Sequence, residues 1–213
     1  MLTAYRVPAG DAVAEIEVKR SVFRCTLARV EDEAGARGLV ERLRKEHWDA
    51  RHHCSAFVLG PPPVPVERSS DDGEPAGTAG APMLDVLRGA GEGLVMSDVV
   101  AVVTRWFGGT LLGAGGLVRA YSDAVRAALA EAGTRERRLR SEVLLELSHA
   151  EAGRVEGELR TRGVDVLDSA YGAAVTLTLG VAPDGVGRLE ATLAELTAGT
   201  AEPVVAGERW VDA

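Results

Sequence analysis

Three acids fall within four residues of the stretch Arg68–Leu84, RSSDDGEPAGTAGAPML: Asp71, Asp72 and Glu74. Carboxylates that close together suit a hard cation, or a general acid and its base. Their neighbours point to a plainer use. Asp72-Gly73 is a turn signal, Pro75 forces Glu74 into extended backbone, and Thr78 is placed to cap a helix starting just after it. The spacing of a calcium loop is absent. Ser70, Asp71, Asp72, Gly73, Glu74, Gly77, Thr78 and Gly80 form one candidate binding loop, with simple solvation as the competing explanation.

A second block, Val99–Ala124, reads VVAVVTRWFGGTLLGAGGLVRAYSDA. Gly108, Gly109, Gly113, Gly115 and Gly116 lie between an apolar run and a helical pattern. Bare amides and a helix N-terminus in that setting can hold an anion. Arg105 precedes the turn, Arg119 lies one turn into the helix, and Phe107 could stack on a base or a partner. The GK[ST] step of a Walker loop is missing, as is the spacing of the dinucleotide fingerprint. A tight turn needing φ > 0 accounts for the same glycines. Both explanations stay open.

The segment HWDARHHC brings His47, His52, His53 and Cys54 together in sequence, and Cys25 falls on a neighbouring strand by pattern. These are zinc-ligand types. On a strand, however, His52 and His53 face opposite ways, so they read as structural side chains. Nothing marks an orienting partner for a Cys54 nucleophile. No catalytic residue, metal or cofactor is assigned.

The elements that must position these blocks follow from periodicity. Residues 12–30 read as two strands with a turn near Lys19–Ser21, and Glu31–His47 as an amphipathic helix. His52–Leu59 is a strand, and the proline-rich Gly60–Glu67 a loop. A short helix over Ala81–Leu87, a strand over Leu94–Thr104 and a long helix ended by Gly133 follow. Thr134–Arg140, TRERRLR, reads as a charged connector, giving domains 1–136 and 137–213. The second shows the order βαββαβ, a ferredoxin-like pattern, with Asp184 as cap of its last helix.

The 213 residues carry a formal net charge of −8. Residues 1–140 are balanced, with 19 Lys+Arg and 19 Asp+Glu, whereas residues 141–213 hold 5 against 13. Affinity for nucleic acid comes largely from cations that displace counterions, so a nucleic-acid surface would have to be a local patch on the first part. DNA specificity is not expected. No apolar run reaches membrane-spanning length, and the two cysteines form no disulfide framework, so a cytoplasmic protein is expected.

Four motifs resemble the IMPACT/YigZ family: Ser21-x-Phe23, HWDARHHCSAF (His47–Phe57), SSDDGEPAGTAGAPML and VVTRWFGGTLLGAGGLVRAYSDA. The ferredoxin-like tail resembles its two-domain bacterial branch. The resemblance implies an α+β or α/β two-domain chain. Its first domain would be similar to domain 2 of the small-subunit ribosomal protein S-five, and the pair to the last two domains of elongation factor G. It also implies a part in translation, since eukaryotic members interfere with activation of a stress kinase. The expectation is a non-enzymatic regulatory protein bound to ribosome, RNA or a translation-linked protein. Its contact surface would hold Arg105, Phe107, Arg119 and the glycine turn, with the acidic loop beside it. The alternative is an enzyme of phosphorylated small molecules or nucleotides that uses both blocks, with an acid as base or Mg²⁺ holder.

Overall fold

A computed structural model describes residues 2–213. The chain forms two compact units, Met1–Glu136 and Arg137–Ala213. Their elements are β1 (Ala4–Pro8), β2 (Ala12–Val18), β3 (Ser21–Arg29), α1 (Glu33–Glu46), β4 (His52–Leu59), β5 (Val66–Ser70), α2 (Gly80–Gly89), β6 (Val99–Trp106) and α3 (Gly113–Ala132). β7 (Thr134–Leu147), α4 (His149–Thr161), β8 (Asp165–Tyr171), β9 (Val175–Val181), α5 (Val186–Thr197) and β10 (Val204–Asp212) follow. The architecture is α+β.

In the first unit β2 to β6 pair antiparallel in the order β2-β3-β6-β4-β5. The β2–β3 hairpin turns through Lys19 and Arg20, both at positive φ, the geometry that matches the twist of the strands. β6 is central, so its apolar run is buried on both faces. Val99, Ala101 and Val103 join the core beneath α2 and α3, while Val100 and Val102 pack with Leu39 and Leu43 of α1. That burial, about 1.5–3 kcal/mol for a valine-sized side chain, fixes which way Arg105 and Trp106 leave the sheet. Arg105 continues the α2/α3 side.

The strands of the second unit pair antiparallel in the order β10-β7-β9-β8, over a core of Val143, Leu145, Leu147, Val155, Leu159, Leu177, Leu179, Leu189 and Leu193. Alternation explains it: along β7 and β9 the buried residues recur at every second position.

Several boundaries differ from the sequence expectation. Leu94–Asp98 is turn and bridge, and the strand starts at Val99. Thr134–Arg140 is the first half of β7, an arginine-rich strand whose partners carry acids: Arg137 pairs with Asp212 and Arg140 with Asp165. Val66–Ser70 is an edge strand, not loop, although Pro61–Pro65 is irregular as expected. Asp184 lies in a 3₁₀ turn and does not cap α5, whose N-cap residue is Gly185. No described helix is long and apolar enough to cross a membrane.

Candidate functional site

The acidic loop divides three ways. Asp71 turns toward α2, where its carboxylate accepts from the amides of Gly77 (2.7 Å), Ala79 (3.0 Å) and Gly80 (2.8 Å). The first amides of a helix have no partner within it, and here the carboxylate supplies one. Burial works against its charge, but the Gly77, Gly80 and Ala79 amides prevail and hold Asp71 below the usual aspartate range. Thr78 is not the cap: its hydroxyl donates to the Pro75 carbonyl at 2.6 Å. Gly80 is required sterically, since a Cβ there would lie 2.7 Å from the Ser70 amide nitrogen.

Asp72 turns toward α1 and β4. Its Oδ1 takes a hydrogen bond from Arg44 at 2.6 Å, and its Oδ2 accepts from the His53 amide at 2.6 Å. His52 Nδ1 lies 2.8 Å from the Asp72 carbonyl oxygen, and Gly73 follows at φ +85° beneath that ring. Ser70 Oγ accepts from the Asp72 amide at 3.3 Å. His53 points the other way, as alternation requires, with Nδ1 3.1 Å from Thr104 Oγ1. Burial depresses its pKa, and the pull of Asp72 does not reverse this. Among the described residues, no three His, Cys, Asp or Glu side chains gather as a metal would need.

Glu74 turns inward. It is buried, and its Oε1 receives both Arg105 Nη1 and the Tyr121 hydroxyl, the latter at 2.8 Å. The Cys54 thiol lies 2.9 Å from the Asp71 carbonyl oxygen and 3.3 Å from the Tyr121 hydroxyl. Burial pushes that thiol up to about 12, against the smaller effect of Tyr121. A protonated, enclosed thiol is a packing group and not a nucleophile at neutral pH. Burial likewise raises Tyr121, with Cys54 and Glu74 acting in the same direction.

The glycine turn is built differently. Gly108 is locked: its amide donates to Ser21 Oγ at 3.1 Å, and a Cβ would fall 2.0 Å from the Arg20 carbonyl carbon. This is the local reason for Ser21. Gly109 and Gly113 adopt φ of +85° and +73°. A Cβ at Gly115 would meet nothing within 4 Å, and one at Gly116 only the Leu112 side chain. The turn delivers a helix with a bare start. α1 is capped by Asp32 and the start of α2 by Asp71, but α3 has neither a side-chain cap nor an acid in its first turn. Arg119 is exposed on that helix.

Arg105, Glu74 and the start of α3 meet at a cavity of about 390 Å³, which Arg51, Phe107 and Leu111 also line. The Arg105 guanidinium lies 5.7 Å from the centre of the Phe107 ring. Phe107 is 45% exposed and Leu111 83%. Of the sequence candidates, Glu74, Arg105, Phe107 and Gly113 share this cavity, while Asp71 and Asp72 are engaged elsewhere. Arg51, Leu111, Leu112 and Tyr121 are not among the candidates, and His52, weighed only as a zinc-ligand type, lines the cavity as well. Leu111-Leu112 carried the one usable signal, two large apolar residues inside a glycine-rich turn.

Residues 19–129 match the family model of the Impact N-terminal domain, and residues 145–200 match that of a domain of unknown function, DUF1949. The chain is 38% identical to IMPACT family member YigZ of Escherichia coli over 200 residues, 93% of this chain and 96% of that one. The chain belongs to the IMPACT family. IMPACT family member YvyE of Bacillus subtilis is 41% identical over 160 residues, covering 75% of this chain and 71% of the relative. A crystal structure described as a hypothetical protein superposes with a TM-score of 0.64 at 36% identity, covering 96% and 98% of the two chains. Every residue lining the cavity lies within the matched IMPACT segment.

Proposed function

We propose that this IMPACT family chain is a non-enzymatic regulator of translation that meets the ribosome, through its RNA, at the turn Phe107–Gly116. One observation carries the reading. Two large apolar side chains, Phe107 and Leu111, stand exposed at the mouth of a cavity whose other wall is an uncapped helix start. An aromatic face beside uncapped amides and arginines suits a base and its phosphate. The acids that a phosphoryl-transfer enzyme would need for Mg²⁺ or as base are each held by internal partners, which favours binding over catalysis. A cytoplasmic place belongs to this reading, and the free, buried thiols of Cys25 and Cys54 agree with it. So does kinship of the first unit with the ribosomal-protein domain and of the second with ferredoxin-like domains, the latter alone supported by the βαββαβ order. Fold kinship alone would be a weak warrant.

Co-sedimentation with ribosomes at graded salt tests the reading. Association is expected at low salt, weakening as salt rises. The double substitution Phe107→Ala, Leu111→Ala should reduce it at every salt concentration. A chain that stays in the supernatant at the lowest salt would overturn the proposal.

A further inference from the structure

The same cavity holds a feature that a contact surface alone does not require. Arg105 is 6% exposed, and its Nε is buried with no hydrogen-bond partner. A buried N–H without an acceptor is costly, about 1–3 kcal/mol by general experience, and in a native structure it calls for a reason. Arg105 lines a cavity that also exposes the start of α3. There, Leu112 is in the right-handed region and Gly113 at φ +73°, a succession that turns neighbouring amides toward one point. Of the start of α3, Gly113 lines the cavity with no side chain and Ala114 with only a methyl. The Glu74 carboxylate also faces this space, but its Oε1 is held by Arg105 Nη1 and the Tyr121 hydroxyl. With Arg51 beside it, the cavity lining carries one cation more than it does acids.

We propose that the cavity is a subsite for a nucleoside 5′-phosphate. The phosphate sits on the amides of Gly113–Gly116 within reach of Arg105, and the base lies against Phe107 and Leu111. A volume of about 390 Å³ falls within the usual range of small-molecule sites, roughly 300–1,000 Å³. Phe107 is held on the Arg105 guanidinium, which sets the ring for stacking without further ordering. The chemistry is shared by a free mononucleotide and by the 5′-phosphorylated end of an RNA. This inference rests on the surface reading given above and deepens it.

The test is an amide-detected NMR titration of the purified full chain with AMP, adenosine, inorganic phosphate, and a short RNA with and without a 5′-phosphate. AMP is expected to move the Gly113–Gly116 amides saturably and to bind at least about tenfold tighter than adenosine, as a charge-assisted contact should. Equal affinity for AMP and adenosine would overturn the phosphate position, and equal affinity for AMP and phosphate would overturn the base position. If only the 5′-phosphorylated RNA binds, the ligand is an RNA end; if AMP binds as tightly, it is a mononucleotide. Gly115→Asp places a carboxylate at the helix start, where there is space for a side chain, so the chain keeps its fold. It should lose about tenfold or more in AMP affinity. Unchanged affinity would overturn the proposal. Sedimentation with ribosomes alongside no amide shift would defeat this inference alone; amide shifts without sedimentation would defeat the ribosome reading alone.

Discussion

The acidic loop and the glycine turn look alike in sequence and are built for opposite ends. From Ser70 to Gly80 nearly every polar group is answered from within: Asp71 by three amides, Asp72 by Arg44 and His53, and Glu74 by Arg105 and Tyr121. The loop fastens α1, α2, β4 and β6 to one another. From Gly113 to Gly116 the helix start is left uncapped and open. Acid and glycine density therefore does not mark a site. What matters is whether the groups are already partnered.

Substitutions can break that contrast, and the largest effect belongs to the buried ion pair. Glu74→Gln leaves a nearly buried Arg105 without its counter-charge, and chemical denaturation should show a loss of about 3–5 kcal/mol. A loss below about 1 kcal/mol would mean that water reaches the pair. Next come the glycines. Gly108→Ala drives a methyl into the Arg20 backbone and should cost about 3 kcal/mol or somewhat more. Gly115→Ala should instead stabilise by about 0.5–1 kcal/mol, because an open helical position prefers alanine. Similar unfolding midpoints for the two variants would erase the distinction between a locked and an open turn.

Asp71 gives a smaller effect with a pH signature. Asp71→Asn weakens the hold on three amides and should lose about 2 kcal/mol at neutral pH. Because the folded carboxyl titrates below its unfolded value, its stabilisation is complete above the ordinary aspartate range. It disappears as pH falls through the lowered folded value. The wild-type stability curve should thus fall more steeply in acid than that of Asp71→Asn, as read by urea unfolding across pH. Parallel curves would contradict the role given to the carboxylate.

Much of the frame was legible because burial writes period into sequence. The amphipathic stripe of α1, the apolar run of β6 and the inward face of α3 each follow from it. The strands β1 and β5 and the start of β7 were not legible. β5, VERSS, is a largely exposed edge with no apolar alternation, and TRERRLR is held by charges distant in sequence, such as Asp212 and Asp165. The site was legible in its ingredients and not in its arrangement. Asp71, Asp72 and Glu74 are close neighbours in the chain, yet only folding sends them to three different sets of partners. Tyr121 sits among the apolar residues on the buried face of α3, which hid the hydroxyl that joins Glu74 to Cys54. Ring and amide at the cavity mouth come from opposite ends of one turn, Phe107 and Gly113, and no periodicity links them.

The most direct measurement is ribosome co-sedimentation of Gly115→Asp beside Asp71→Asn, at a temperature where both remain folded. The expected result is that Asp71→Asn, though less stable, sediments like the wild type, while Gly115→Asp, no less stable than the wild type, stays in the supernatant. If the two variants sediment alike, the open turn is not the contact surface and the contrast between the regions has no functional meaning.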